Sequence, residues 1–427
     1  MLDINLIREK PEEVRAALLK RIDDVDFTEL LQWDERRRKL IPEIGELRQK
    51  RNEVSSQIPA LKKEGKDISP IQAEMRSVGE RIKDLETDLS TVEASIRDFL
   101  VALPNIPADD VPAGGKENNE VIRVWGNKPE FDFELKGHIA LAKSLNLIDY
   151  ERGVKMGGNG FWLYCGDGAK LEWALLNYFV EEHFEDGYEM ILPPHILTYQ
   201  CGFTAGQFPK FTDDVFHLLP DDGGESTQFL LPTSETALIN LYRDEVVPES
   251  ELPKKFFSYT PCYRKEAGSY RTNERGMIRG HQFNKVEMFQ FTIPEDSPKA
   301  LNELVEKAER LVQGLGLHYR VSNLAAQDCS ASMTKTFDIE VWIPSMGEYK
   351  EISSASNAND YQARRGNIRF KRKATGRNEY LHTLNASGLA TSRLLPAIVE
   401  QFQRPDGSIT VPDVLAERFG KSKIRPT

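Results

Sequence analysis

The 427-residue sequence predicts an α+β domain preceded by an N-terminal antiparallel helical coiled-coil hairpin. Three observations carry this. Apolar residues recur in heptads over residues 33–61 and again over 71–99. A short turn-forming segment separates the two runs. Beyond a stretch rich in proline and glycine the heptads stop, and short β-prone runs alternate with helical ones.

Residues 1–26 are expected to hold one short amphipathic helix, with Ile7, Val14, Leu18 and Leu19 at roughly helical spacing. In the first heptad run Trp33, Leu40, Leu47, Val54 and Leu61 fall seven apart, and Ile44 and Ile58 take the other seam position. In the second, Ile71, Met75, Val78, Ile82, Leu85, Leu89, Val92, Ile96 and Phe99 follow in steps of four and three. Each run covers 28 residue steps, about 42 Å of helix. Between them, G-K-D-I-S-P at 65–70 predicts a turn. Gly65 ends the first helix, Ser69 caps the second with Pro70 at its first position, and Gln72 completes a capping box. Equal lengths and a short turn favour a hairpin within one chain over a zipper between chains. Pro42 and Pro59 lie inside the first helix, where each is expected to kink or interrupt it. The predicted organisation is a helical domain over 1–103 with its arm at about 27–102, a linker over 104–120, and an α+β domain over 121–427. In the last, residues 171–185 read as a helix leading through Asp186 and Gly187 to a strand at 188–192.

Composition narrows the function classes. A mean hydropathy of −0.49 with 29% charged residues predicts a soluble globular protein. No apolar run nears the roughly 18–20 residues of a membrane span, so no membrane partner is expected. The first residues lack both an apolar signal region and an Arg/Ser-rich transit pattern, which makes a cytoplasmic location the expectation. Cys165, Cys201, Cys262 and Cys329 form no C-x-x-C pair, against a disulfide framework and against structural zinc. A net charge of −11 argues against a nucleic-acid coat but allows one basic docking surface. Residues 33–66 carry ten Lys/Arg against six acids, whereas 70–100 carry four against seven. The first hairpin helix is thus the basic one, as phosphate docking requires; scaffold coiled coils show such asymmetry too.

The segment 256–292, FFSYTPCYRKEAGSYRTNERGMIRGHQFNKVEMFQFT, is the richest in chemistry. Two β-prone runs, 256–263 and 283–291, flank a charged loop and predict antiparallel strands with a long connection. On an extended chain Arg264 and Glu266 share a face, as do Phe283, Lys285 and Glu287. Alone, such charges suit a surface ion pair. In context, R-x-E, a loop and R-x-H-Q-F-x-K-V-E resemble motif 2 of the class II aminoacyl-tRNA synthetases, in the form used by seryl-tRNA synthetases. D-G-Y-E-M-I-L-P-P at 186–194 resembles motif 1, the dimer-interface element. T-A-G-Q-F-P-K-F at 204–211 and L-P-T-S-E at 231–235 resemble the family's substrate loops. E-Y-K-E-I-S-S-A-S-N at 348–357 and Y-Q-A-R-R at 361–365 follow. L-H-T-L-N-A-S-G-L-A-T-S-R at 381–393 resembles motif 3, and the resemblance runs from the first residues to about Ala416.

The resemblance implies a class II antiparallel sheet flanked by helices, acting as a homodimer. It implies activation of serine with ATP, releasing pyrophosphate, and transfer of serine to the 3′ end of tRNA-Ser, and of tRNA-Sec where that exists. It also implies that the hairpin grips the long variable arm of tRNA-Ser. The catalytic set would be Arg264, Glu266, Arg279 and Arg393. Arg264 would contact the α-phosphate and Arg279 the γ-phosphate, Phe283 and Arg393 would sandwich adenine, and Glu266 would fix its amino group. Planar guanidinium groups suit this because they stay charged and fork onto phosphate oxygens. Lys265, Gly280, Ile352 and Ser353 complete the implied ATP site, with Glu351 and Ser354 as hard oxygen ligands for Mg²⁺. Thr233, Ser234, Glu235, Arg264, Glu287, Asn385 and Ser387 are the implied serine-binding positions.

His281 is expected to hydrogen-bond structurally rather than act as a base, and Gly157, Gly158, Asn159 and Gly160 to form a turn. Lys421, Ser422 and Lys423 read as a basic tail, and Arg364 with Arg365 as a solvated pair. Two residues depart from the family pattern. Ala386 stands in motif 3 where glycine is usual and is expected to narrow the serine pocket or restrict the backbone beside Asn385. Arg271 adds charge to the motif 2 loop. Two other functions compete at this point: a diverted paralogue that serylates a carrier, and a non-catalytic RNA-binding protein on the same fold.

Overall fold

In the computed structural model residues 1–219, 224, 227–266 and 276–426 are described; Arg271 lies outside them. The chain divides into two compact units, Met1–Pro104 and Asn105–Thr427.

The first unit begins with two helices, Ile4–Glu9 and Pro11–Leu18, where one was expected. Pro11 has no N–H to continue the first helix and instead opens the second. Ile7, Val14 and Leu18 are buried, whereas Leu19 is exposed. Helices α1 (Thr28–Lys63) and α2 (Ser69–Ala102) then form the hairpin. Leu40 and Ile44 of α1 and Ile82, Leu85, Val92 and Ile96 of α2 bury the seam. At its root Phe99 meets Trp33 edge-on at 6.3 Å, and the buried Asp34 pairs with Arg8 at 2.9 Å and Arg37 at 2.8 Å.

Pro42 and Pro59 do not interrupt α1, which is continuous through both. Each is exposed, as are Arg38 and Ser55 one turn earlier. Water can therefore take the carbonyls that the prolines leave without an amide. Four ion pairs cross the hairpin: Arg36–Asp88, Arg48–Glu86, Lys50–Glu74 and Arg81–Glu43, at 2.5–3.0 Å. Part of the basic excess on α1 is thus matched by acids of α2.

The turn closes as a Schellman motif. Lys66 N–H donates to Leu61 C=O, and Gly65 N–H donates to Lys62 C=O, each at 3.2 Å. Gly65 has φ +70°, the left-handed conformation this motif requires. Ser69 is not the cap: it is the first residue of α2, no side chain caps the helix, and Asp67 Oδ1 accepts the Ser69 amide at 2.9 Å. The capping box with Gln72 is therefore absent.

The second unit is built on an eight-stranded sheet. Its strands are β1 (Glu120–Trp125), β2 (Glu189–Met190), β3 (Lys254–Tyr263), β4 (Gln282–Thr292), β5 (Tyr319–Asn323), β6 (Lys335–Ile343), β7 (Glu348–Asn359) and β8 (His382–Ala390). They lie in the order β1-β5-β6-β7-β8-β4-β3-β2, antiparallel throughout except for β2 beside β3. Helices α3 (Gly166–Glu185), α4 (Ser297–Gly314) and α5 (Thr391–Gln401) bury their apolar residues with one sheet face. That face offers Val286, Met288, Leu384 and Ala386. The alternate residues of β4 and β8 are left to line the other face.

The expected strand at 188–192 shrinks to β2. Residues expected to be a linker are tied along the second unit instead. Asn105 Nδ2 donates to the carbonyls of Ser332 and Ala358 at 2.9 and 2.8 Å, and the Ala108 amide donates to Thr334 C=O. No helix among the described residues is long and apolar enough to cross a membrane.

Nothing lies within 4 Å of a Cβ built on Gly65, so Gly65→Ala is purely a conformational change. It should cost about 1 kcal/mol, read as roughly fivefold faster amide hydrogen exchange around residues 61–72 with exchange elsewhere unaltered.

Candidate active site

Four central strands, β7-β8-β4-β3, build the floor of a cleft. Opposite each other in register stand Glu287 and Ser258 on β4 and β3, and Glu287 and Ser387 on β4 and β8. Alternation sends Lys285, Glu287, Asn385 and Ser387 to the cleft while Met288 and Ala386 go to the core. Ala386 is fully buried among apolar residues. It does not line the cleft, contrary to the expectation that it narrows a pocket there, because neighbours on a strand face opposite ways.

One cavity, of about 510 Å³, is lined by Thr233, Glu235, Lys285, Glu287, Asn385 and Ser387, together with Arg264, Glu266, Arg279, Glu351 and Ser354. Lys285 Nζ lies 2.5 Å from Glu287 Oε2 and donates to Thr233 Oγ1 at 2.7 Å. Asn385 Nδ2 donates to Glu287 Oε1 at 2.9 Å. Glu235 accepts from Gln362 Nε2 at 2.8 Å; burial, with Glu287 nearby, pushes its carboxyl up to about 7. Gln207, Phe211 and Met333 close the walls.

A small niche of about 70 Å³ adjoins, lined by Arg264, Gly280, Phe283, Ile352 and Arg393. A Cβ on Gly280 would sit 2.1 Å from Trp162 Cζ3, so only glycine fits there. The Arg264 guanidinium lies over the Phe283 ring, 5.2 Å from its centroid. Arg393 donates to the backbone oxygens of Ile278 at 3.0 Å and Glu351 at 2.7 Å. A wider trough of about 850 Å³, containing Arg279, Arg320, Asp338, Glu351 and Arg393, opens the cleft outward.

Arg264 and Glu266 do not share a strand face, because β3 ends at Tyr263 and Glu266 turns to φ +50°. Both reach the cavity nevertheless, and Arg279 pairs with Glu266 there. His281 holds the two ends of this segment together. Its Nδ1 lies 3.0 Å from Arg264 C=O, and its own carbonyl accepts the Arg264 amide at 2.9 Å. Residues 157–160 form the end of a helix and a turn.

Three of the expected site residues turn away. Ser234 Oγ pairs with Thr260 Oγ1 at 2.9 Å, and Ser353 Oγ donates to Ser387 C=O at 2.6 Å; both side chains are buried off the cleft. Lys265 lines none of the three cavities and anchors the backbone, its amide donating to Asp214 C=O at 2.8 Å. Arg365 is not a solvated residue: it is buried, stacks on Phe203 at 4.3 Å, and donates to the carbonyls of Phe203 and Phe208. It thereby braces the loop that carries Gln207. Its neighbour Arg364 pairs with Asp360 at 2.7 Å.

Glu351 and Ser354 stand together, Ser354 Oγ lying 3.1 Å from a Glu351 oxygen and 2.6 Å from an oxygen of Asp338 on β6. Glu351 is partly exposed, and the Arg393 and Arg264 guanidiniums hold its carboxyl below the usual carboxylate range. Burial and the Glu351 charge push Asp338 well above it. An all-oxygen set flanked by one firmly ionised carboxylate fits a hard divalent ion such as Mg²⁺. Lys285 and Asp338 are cleft residues absent from the expected set, and the buried Gln362 supports Glu235 from behind; for Lys285 the period-2 spacing with Glu287 was the available signal. Cys262, two residues before Arg264 on β3, is fully buried, and burial pushes its thiol up.

Comparison with known proteins gives a consistent result. Residues 216–402 match the tRNA synthetase class II core domain (G, H, P, S and T), and residues 1–107 match the seryl-tRNA synthetase N-terminal domain. The chain is 63% identical to serine–tRNA ligase 2 of Clostridium acetobutylicum over 425 residues, covering 99% of this chain and 100% of that one. It is 45% identical to the serine–tRNA ligase of Geobacillus kaustophilus, covering 99% and 100%. Among solved structures, seryl-tRNA synthetase from Pyrococcus horikoshii complexed with ATP superposes with a TM-score of 0.92 at 33% identity, covering both chains fully.

Glu235 titrates higher in the fold than the ordinary carboxyl value of 4.5. The native state therefore holds this proton where the unfolded chain has lost it, so this group makes stability fall as pH rises from about 4.5 to about 7. Glu235→Gln keeps an acceptor for Gln362 and removes the titration. Urea unfolding across that range should show a shallower loss of stability with pH in the variant.

Proposed function

The chain belongs to the seryl-tRNA synthetase family, and on that premise we propose how its residues divide the work. It is an ATP-dependent ligase that activates serine and transfers it to tRNA-Ser. The observation that carries the assignment is the confluence of one polar pocket and one cationic cleft at Arg264, Lys285 and Glu351.

Serine lies in the pocket of Thr233, Glu235, Glu287, Asn385 and Ser387. A buried carboxylate meets its ammonium and a second polar group its hydroxyl. Alanine would leave that second group unpaired, a defect worth roughly 10⁴-fold or more in discrimination; threonine is refused by lack of room for its methyl. ATP lies with adenine between Phe283 and Arg393, its α-phosphate at Arg264 and its γ-phosphate at Arg279, with Glu266 released from Arg279 to take the adenine amino group. A serine carboxylate oxygen then attacks the α-phosphorus as the bond to pyrophosphate breaks. The chain contributes alignment of two anions and fixed positive charge where negative charge spreads. Glu351 and Ser354 would hold Mg²⁺, which when bound neutralises phosphate charge. In the second step a terminal ribose hydroxyl of the tRNA attacks the seryl carbonyl and AMP leaves.

The remaining assignments follow the same reading. The α1–α2 arm grips the long variable arm of tRNA-Ser, supported by the cations of α1, and tRNA-Sec is accepted where present. Two copies pair through motif 1 and the helix α3 before it, where Leu192 of the motif and Trp173 and Phe184 of the helix are 72%, 56% and 53% exposed. The enzyme works in the cytoplasm. A carrier-directed ligase is disfavoured by the long hairpin, for which it has no use.

With ATP and Mg²⁺, pyrophosphate exchange should respond to serine and not to alanine or threonine; absence of exchange with every amino acid would refute the reading. Deleting residues 30–100 should spare exchange and abolish aminoacylation of tRNA-Ser, whereas a carrier-directed enzyme would keep its transfer step. Arg393→Ala should lower exchange by at least about 100-fold, measured at saturating serine.

A further inference from the structure

A second carboxylate lies behind the cleft and has no place in the chemistry above. Glu172, on the first half of α3, is 3% exposed on a helix whose neighbouring side chains Leu171, Ala174, Leu175 and Leu176 are packed into the apolar core. Its Oε1 accepts from Asn284 Nδ2 at 2.7 Å and from Thr391 Oγ1 at 2.6 Å. A carboxyl group in such surroundings is weak support for stability, since an apolar side chain of similar size often serves as well. What it supplies is geometry.

The two donors occupy informative places. Asn284 sits on β4 between Phe283 and Lys285, both of which line the nucleotide niche. Because alternate strand residues face opposite ways, Glu172 holds β4 from its far side. Thr391 is the first residue of α5, directly before Ser392 and Arg393, which line the same niche. Thr391 Oγ1 also lies 3.2 Å from Asn284 C=O, and Asn284 Oδ1 accepts from Tyr259 on β3 at 3.2 Å. One carboxyl oxygen thus joins the strand that carries Phe283 to the helix start that carries Arg393, across 107 residues of chain.

We propose that Glu172 is a positioning residue for ATP: by holding Asn284 and Thr391 together it sets the gap between Phe283 and Arg393. The inference rests on the reading that these two side chains bracket adenine. Glu172 touches neither substrate, and its removal acts through the two hydrogen bonds it accepts. Glutamine presents the same acceptor at the same reach, so the amide replaces the carboxyl in this role, with its NH₂ directed toward the buried Tyr164 hydroxyl nearby.

The test is pyrophosphate exchange by the full-length enzyme, with ATP and serine varied separately and folding followed by circular dichroism and thermal melting. Glu172→Ala should raise the KM for ATP about tenfold with the KM for serine within twofold, and Glu172→Gln should restore the KM for ATP to within about threefold of the parent. Thr391→Val, which removes one donor at constant shape, should raise the KM for ATP about threefold or more; it decides the matter if Glu172→Ala does not fold. An unchanged KM for ATP in a folded Glu172→Ala, an unchanged one in Thr391→Val, a glutamine variant as defective as the alanine one, or parallel rises in both KM values with a lowered melting temperature would each overturn the proposal. Arg393→Ala separates the two levels. If it retains exchange, the reading of the nucleotide site fails; if it is inactive while Glu172→Ala is normal, only the role of Glu172 falls.

Discussion

Lys285 and Glu287 stand two residues apart on one strand, nearly out of reach of water, and their charges meet at 2.5 Å. An ion withdrawn from solvent costs several kcal/mol unless a partner and further hydrogen bonds offset it. Around this pair the second unit supplies them: Thr233 for the ammonium, Asn385 for the carboxylate. These partners come from a loop and from the neighbouring strand, so the register of β8 against β4 and the path of residues 231–235 are fixed by the same charges. Glu235 is also buried, beside Glu287 and with Gln362 donating to it, and burial makes its carboxyl reluctant to ionise. The cleft is in this sense a polar core turned outward.

Much of this was legible in the sequence, and the parts that were not share a cause. Heptads report a helical seam because the period is local, and the strand pair around 256–292 follows from alternation within each run. Motif spelling located Arg264, Glu287 and Arg393. It did not say which way each side chain turns. Ser234 and Ser353 lie inside matching motifs yet face Thr260 and the Ser387 carbonyl, and Ala386 faces the core for the same geometric reason. Asp338 was invisible because only the register of β6 against β7 brings it opposite Ser354. Arg365 read as a surface cation because nothing local announces that two carbonyls 157 and more residues away will bury it.

The hairpin teaches a different lesson about proline. Its penalty in a helix is the loss of one hydrogen bond and a clash with the preceding turn, and the first part of that penalty vanishes where water can replace the missing donor. Both prolines of α1 lie on its wet side, so the helix persists. The start of α2 shows the complementary case. Ser69 had the right spelling for a cap, but Asp67 reaches its amide first and Ser69 becomes the opening helical residue.

Cys262 has a consequence of its own. Oxidants and alkylating agents attack the thiolate, and a thiol held protonated in a dry strand offers little of it. The sulfur sits two residues from Arg264, close to cations that would otherwise draw its proton away, yet burial prevails. A cysteine is thereby accommodated two residues from Arg264 without presenting the cleft with a thiolate. Of the four cysteines, the partly exposed Cys165 and Cys201 are the thiols open to peroxide or iodoacetamide.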